Sequence, residues 1–251
     1  MRLSVLLFFT LLSIPTLVLA DTPLDVDALS QTPQGLLEAL DKRHNAYDSQ
    51  KWTFEMTVIP VSGSKRSMKF DVMQKGSKRL VRFLSPGDVK GMSVLSKGRT
   101  MYVYAPQTEN VRRVATSARR QNLLGSNFTY ADMATVNLAP EYNATVGAAA
   151  DDHVWLELNK KAESDAAWPK LRLRINKKHA LIEVVEYWDA GKKVKTQHRT
   201  NFTVVGGAPT WKTIIMSSEG GLKTRLEMLS QKINEPIPNK VFSKRSLVRG
   251  Q

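Results

Sequence analysis

The sequence predicts a mostly β fold of the α+β class, built on one large curled antiparallel sheet. Apolar and polar residues alternate with a period of two along most of the chain, as they do in strands with one buried face. Short turns rich in Gly, Ser and Asn separate nearly a dozen such runs at hairpin spacing. A clear helical pattern occurs only near the N-terminus, so few helices are available to cover the sheet.

The first element is a predicted secretory signal peptide over residues 1–20. Arg2 precedes a long apolar run, and the small residues Val18 and Ala20 place the cleavage point before Asp21. An uncleaved membrane anchor is the alternative, because the apolar run approaches the length that spans a bilayer. The chain contains no cysteine, so it lacks both disulfides and the residue that usually carries a lipid anchor. We expect an exported protein in which residues 21–251 form a single domain.

A helix is predicted next, over residues 32–47. Thr32 can cap it, Pro33 suits its first turn, and Leu36, Leu37 and Leu40 form one apolar stripe. The first strand follows, with Trp52, Phe54, Met56 and Val58 on one face.

The remaining strands predict a sheet with two different faces. In residues 170–176, three apolar residues alternate with Lys170, Arg172 and Arg174, so one face is apolar and the other basic. A sheet of this size curls, and its apolar face must be covered by other elements. Residues 119–133, RRQNLLGSNFTYADM, interrupt the alternation with a compact apolar cluster behind two arginines. We expect this segment to cover the sheet together with the N-terminal helix.

The sequence contains no pattern typical of a catalytic or metal site. His44, His153, His179 and His198 are scattered without metal-ligand spacing, and no nucleophile or zinc-protease motif occurs. We therefore expect no enzymatic activity and no cofactor. The net charge of +14 would favour nucleic acid in a cytosolic protein, but export favours an anionic membrane surface or an acidic partner. A well-solvated surface is the alternative explanation.

Residues 90–133 resemble the outer-membrane lipoprotein-sorting (LolA-like) protein family, in particular the branch associated with RND-type exporters. The resemblance lies in MYVYAP at 101–106, VRRV at 111–114 and GSNFTYADM at 125–133, with NEPIPNKVFS at 234–243 fitting the family's ending. Asn127 and Ala131 replace the commoner acidic residues. The resemblance implies an incomplete barrel of the LolA/LolB type, whose concave face is covered by helices. It also implies a periplasmic carrier of lipids or lipid-modified proteins.

The alternation and the resemblance together predict the candidate site. We expect a lipid-binding cavity walled by Trp52, Phe54, Met56, Phe70 and Phe83, although an ordinary core is the alternative. We expect a lid formed by Leu123, Leu124, Phe128, Tyr130 and Met133, and a membrane- or partner-facing basic surface formed by Arg112, Arg113, Arg119 and Arg120.

The expected partners follow from the same resemblance. They are a lipid or acylated lipoprotein, an RND-type inner-membrane transporter and an outer-membrane acceptor, with transient membrane contact and no nucleic acid. The alternative function is a regulatory module of the envelope that senses lipids or lipoproteins.

Overall fold

The computed structural model describes residues 24–249, and the predicted signal peptide at residues 1–20 lies outside this range. Thirteen strands form one antiparallel sheet, which confirms the predicted fold class. In chain order the strands β1 to β13 are Gln50–Ile59, Arg66–Lys75, Lys78–Ser85, Ser93–Lys97, Thr100–Ala105, Asn110–Arg113, Tyr142–Ala149, His153–Lys160, Lys170–Asn176, Leu181–Asp189, Lys192–Val205, Ala208–Ser218 and Lys223–Ile233.

Two meanders, β1–β6 and β7–β13, meet in the middle of the sheet. The order is β6-β5-β4-β3-β2-β1-β13-β12-β11-β10-β9-β8-β7. The first and last strands therefore pair with each other, from Gln50 opposite Ile233 to Ile59 opposite Lys223. Within residues 24–249, β6 and β7 are edge strands that do not pair with each other, so the barrel is incomplete as predicted.

The described helices are short apart from one. They are α1 (Val26–Ser30), α2 (Pro33–His44), α3 (Tyr130–Ala134) and α4 (Lys244–Arg249), and 3-10 turns occur at Pro106–Thr108, Thr116–Arg120 and Asn239–Phe242. Helix α2 confirms the N-terminal prediction, and Leu36, Leu37 and Leu40 are its buried residues.

Residues 114–141, which we call the crossover segment, connect β6 to β7. These strands lie at opposite edges of the sheet, so the connection must pass across one face instead of making a hairpin. It carries a 3-10 turn and α3, and its Leu123, Phe128 and Met133 belong to the same buried cluster as the sheet and α2. The loss of alternation in residues 119–133 thus reflects a change from strand to covering segment.

A second core lies on the other face of β3–β5. Leu80 and Leu95 pack there with Ile237, Phe242 and Leu247 from the C-terminal segment. Arg82 is buried beside them, and its Nη2 donates to the Ser246 carbonyl oxygen at 2.6 Å. Pattern reading did not predict this packing, because the C-terminal apolar residues follow no clear period.

The predicted basic face of β9 is largely neutralised. Arg172 lies 3.3 Å from a carboxylate oxygen of Glu157 and 3.0 Å from one of Glu186, and Arg174 lies 3.3 Å from Glu183. These carboxylates come from the neighbouring strands β8 and β10. The face is therefore basic in composition, as predicted, but its arginines form a network of cross-strand ion pairs.

Candidate functional site

A cavity of about 500 Å³ lies between the inner face of the sheet, α2 and the crossover segment. This volume falls within the range of about 300–1,000 Å³ typical of small-molecule sites. Helix α2 contributes Leu40, the crossover segment contributes Phe128 and Met133, and the remaining wall comes mainly from strands. Its large apolar strand residues are Trp52, Phe54, Phe70, Met101, Leu171, Leu181, Ile182, Tyr187, Trp211, Ile214 and Leu226.

Three of the five predicted wall residues border this cavity. Trp52, Phe54 and Phe70 line it, and the rings of Phe54 and Phe70 stack with their centroids 5.6 Å apart. Met56 and Phe83 are completely buried and are not part of the lining. Phe83 instead supports the wall from within the core, with its ring centroid 5.3 Å from that of Phe70.

The crossover segment explains why Met56 does not reach the cavity. Asn127 of this segment donates its backbone N–H to Thr224 Oγ1 at 3.0 Å. Thr224 is paired with Val58, two residues beyond Met56 on the same face of β1. The crossover segment thus covers this end of the strand, while Trp52 and Phe54 at the other end face open space.

The predicted lid residues divide into two groups. Phe128 and Met133 are buried and line the cavity, whereas Leu123 is completely buried away from it. Leu124 and Tyr130 are half-buried and lie outside the lining. Leu124 has a positive φ of 53°, and Gly125 follows it with a φ of 74°, so this is a tight reversal of the chain.

A buried ion pair fastens the crossover segment to the sheet. Lys195 of β11 pairs with Asp132 of α3, and their side chains are only 6% and 4% exposed. Lys195 Nζ also donates to the Asn127 carbonyl oxygen at 3.1 Å. Asp132 accepts from the Thr129 N–H at 2.8 Å and completes a capping box on α3. This segment is therefore a fixed cover in the structure.

Aromatic rings surround the buried ammonium group. Lys195 Nζ lies 4.6 Å from the ring centroid of Trp168 and 4.4 Å from that of Tyr187. Burial lowers the pKa of Lys195, and the charge of Asp132 opposes this effect. Cation–π contacts and the carboxylate together compensate for part of the lost hydration.

The four predicted basic residues are used in different ways. Arg112 and Arg113 are exposed on the edge strand β6. Arg119 borders the cavity and donates to the Asp165 carbonyl oxygen at 3.2 Å. Arg120 pairs with Asp189 and lies over the Trp168 ring. The structure therefore leaves Arg112 and Arg113 as the outward-facing pair and uses Arg119 and Arg120 to fix the crossover segment.

The cavity reaches the surface beside residues 135–139, which we call the mouth loop. Among the lining residues, Ser77, Gly98 and Thr135 are exposed. Asp41 of α2 accepts from the backbone N–H groups of Leu138 and Ala139 at 2.8 and 2.7 Å. The mouth loop thus depends on polar contacts with the helix.

Two further groups extend this polar network at the mouth. Asn45 donates to the Val136 carbonyl oxygen at 3.3 Å, and Arg79 donates to the Thr135 carbonyl oxygen. Burial raises the pKa of Asp41 to about 6, although its two backbone hydrogen bonds oppose this change. The mouth loop is therefore held by hydrogen bonds and one partly buried carboxylate.

Sequence reasoning missed a set of polar side chains in the cavity. Arg79 of β3, Arg199 of β11 and His44 of α2 all line it. One signal was available: in β11, residues 195, 197 and 199 are polar at the positions where alternation should place apolar residues. Within residues 24–249, no group of three or more His, Asp or Glu side chains is arranged to hold a metal ion, and no helix combines the length and hydropathy needed to span a membrane.

The comparisons with known proteins agree with this architecture. A family model described as "Uncharacterized protein" matches residues 75–249, which is more than half of the chain. No curated protein matches the chain. A domain described as an outer membrane lipoprotein-sorting protein, from Vibrio parahaemolyticus, is 20% identical with a TM-score of 0.77, covering 88% of this chain and 100% of that one.

Two other solved structures share the fold. A LolA superfamily protein from Nitrosomonas europaea is 23% identical with a TM-score of 0.73, covering 85% of this chain and 98% of that one. A DUF1329 family protein from Desulfovibrio piger is 18% identical with a TM-score of 0.78, covering 89% and 99%. The chain therefore belongs to the uncharacterized family that the model describes, and its fold is that of the LolA-like outer-membrane lipoprotein-sorting proteins.

Proposed function

We propose that this protein is a periplasmic carrier that binds the acyl chains of a lipid or lipid-modified protein and moves them between the inner and outer membranes. The observation that carries the proposal is the cavity of about 500 Å³ with an aromatic and aliphatic wall. Its position between an open sheet and a covering segment supports it, as does the LolA-like fold.

The energetics of an acyl chain explain why such a cavity is needed. Each CH₂ group exposed to water costs about 0.8 kcal/mol, so a chain of about sixteen carbons needs shelter worth on the order of 12 kcal/mol. A carrier must provide most of this free energy but still release its cargo. A cavity that reaches the surface satisfies both requirements.

The contacts of the cover indicate where the cavity opens. The crossover segment is fastened by the buried Lys195–Asp132 pair, which is costly to break. The mouth loop is held mainly by hydrogen bonds to Asp41, Asn45 and Arg79, which contribute about 0.5–1.5 kcal/mol each between neutral groups and about 1.5–3 kcal/mol when one group is charged. Cargo therefore enters by displacement of the mouth loop, while residues 114–134 of the crossover segment stay in place.

A matched pair of substitutions tests the proposal. Ala167 lines the cavity, and Ala148 is exposed on β7 outside the lining. Ala167→Phe fills part of the cavity and should weaken binding of a fluorescent fatty acid, whereas Ala148→Phe should leave it unchanged. Mass spectrometry of lipids that co-purify with the wild-type protein gives a second measurement. Absence of both co-purified lipid and fatty-acid binding would refute the carrier function.

The donor and acceptor follow from the same proposal. An RND-type transporter in the inner membrane supplies the cargo, and an acceptor at the outer membrane receives it. Arg112 and Arg113, which form no ion pair within residues 24–249, are the candidate contact with an anionic membrane or an acidic partner. Loss of co-purification with the transporter in an Arg112→Glu/Arg113→Glu variant would support this contact, and unchanged co-purification would contradict it.

A further inference from the structure

Two arginines face the cavity without a counter-charge. Arg79 and Arg199 line it from β3 and β11, and within residues 24–249 each donates to a glutamine side chain instead of a carboxylate. Arg79 Nε donates to Gln74 Oε1 at 3.0 Å, and Arg199 Nη2 donates to Gln197 Oε1 at 2.9 Å. Enclosed guanidinium groups normally pair with an acid, because dehydrating an unpaired charge is costly.

The acidic residues of the lining are engaged elsewhere. Asp132 pairs with Lys195, Asp165 pairs with Arg99, and Asp41 accepts from the mouth loop. Glu141, the remaining lining carboxylate, accepts from Ser164. Within residues 24–249, the positive charge of the two arginines is therefore not neutralised by a carboxylate.

The curl of the sheet brings the two arginines into one site. Strands β3 and β11 are separated by four strands in the sheet order, yet the charge of Arg199 lowers the pKa of Arg79, after the larger effect of burial. His44 lines the same cavity, and burial of its ring, followed by the charges of Arg79 and Arg199, lowers its pKa below 6.5. His44 is accordingly mostly neutral at pH 7.

The donors at this site are available to a ligand. Each guanidinium carries five N–H bonds, and Arg199 uses only its Nε and Nη2 groups, both on Gln197. Its Nη1 group makes no hydrogen bond within residues 24–249, and a neutral His44 can add one donor. The aromatic side chains of Trp52, Phe54 and Phe70 line the same cavity.

We propose that the cavity selects an anionic amphiphile, whose carboxylate or phosphate binds between Arg79 and Arg199 while its acyl chain lies along the aromatic wall. This proposal rests on the carrier function and specifies its cargo: neutral lipids bind more weakly than acidic ones of the same chain length. Charge-assisted hydrogen bonds to an enclosed guanidinium account for a preference of about 10- to 100-fold.

The test compares two probes that differ only in charge. A dansyl-labelled fatty acid and its primary amide are titrated into the full mature chain at pH 7, in chloride buffer free of phosphate and sulfate. The wild type should bind the acid about 10- to 100-fold more tightly than the amide. Arg199→Gln should remove most of this preference, and Arg199→Lys should restore part of it.

A matched control separates the site from overall charge. Lys69→Gln removes one positive charge from an exposed position of strand β2 and should keep the full preference for the acid. Displacement by lysophosphatidic acid but not by inorganic phosphate would establish that the anion belongs to an amphiphile. Equal displacement by inorganic phosphate would overturn the proposal in favour of a free-anion site.

The outcomes distinguish this inference from the proposed function. Equal binding of acid and amide to the wild type would overturn the anion site and leave the carrier function intact. Binding of neither probe would refute both. An unchanged preference in Arg199→Gln would also overturn the site, because Arg199 is the arginine of the pair whose Nη1 group makes no hydrogen bond within residues 24–249.

Discussion

The buried pair that fastens the crossover segment provides the strongest stability prediction. Lys195→Met keeps most of the side-chain volume but leaves Asp132 as an uncompensated carboxylate that is 4% exposed. Removing one partner of a buried pair typically costs about 3–5 kcal/mol. For a domain of this size, that corresponds to a fall in Tm of roughly 6–20 °C. Thermal and urea unfolding followed by circular dichroism measure both quantities.

Two variants make this prediction specific. Lys232→Met makes the same change in a pair with Glu235 whose side chains are 58% and 50% exposed, and it should cost only about 0–1 kcal/mol. The double variant Lys195→Met/Asp132→Asn no longer contains the uncompensated carboxylate. It should recover part of the lost free energy of unfolding, because the effects of substitutions at contacting residues are not additive. If Lys195→Met were no more destabilising than Lys232→Met, the crossover segment would not depend on the buried pair.

Three further predictions concern the second core, the cavity wall and pH. Phe242→Ala should cost about 3–5 kcal/mol but leave fatty-acid affinity unchanged, because Phe242 packs on the face opposite the cavity; a loss of affinity at full folding would contradict this. Phe128→Ala should reduce both stability and affinity, whereas Leu124→Ala should preserve affinity, as titration with a fluorescent fatty acid can test. Because the pKa of Asp41 is raised from 3.8 to about 6, its protonation contributes stability that is fully present below about pH 4 and lost as pH rises through 6. This contribution changes the free energy of unfolding by at most about 3 kcal/mol. Asp41→Asn should abolish the change, which urea unfolding at pH 4 and pH 7 measures.

Most of the fold could be predicted from the sequence because alternation is a local signal. The strand from Gln50 to Ile59, for example, keeps Trp52, Met56 and Val58 on its buried face. Helix α2 was equally clear from its leucine stripe. The pairing of β1 with β13 was not predictable in this way, because it joins residues far apart in the sequence.

The candidate site was harder to predict because its residues combine local and non-local signals. Alternation assigned Met56 to the cavity along with Phe54, but only the position of the crossover segment decides which of them faces open space. Arg79 and Arg199 lie on separate strands, and nothing in the sequence indicates that the curl of the sheet brings them together. The polar run of β11 was a usable clue. This strand lies between two other strands of the sheet and is polar on both faces. Its polar side chains on the concave face must therefore have polar partners there.

The two edge strands of the sheet, β6 and β7, leave the barrel open. If β6 paired with β7, the barrel would close, and the crossover segment would lose its place across the gap. Both strands have features that disfavour edge pairing. Strand β6 is only four residues long and exposes Arg112 and Arg113, and β7 has a register shift between Val146 and Ala149. The exposed arginines thus help to keep β6 unpaired. Replacing both with threonine should therefore promote self-association through this edge, which analytical ultracentrifugation can detect. A variant with the same sedimentation as the wild type would show that the arginines do not protect this edge.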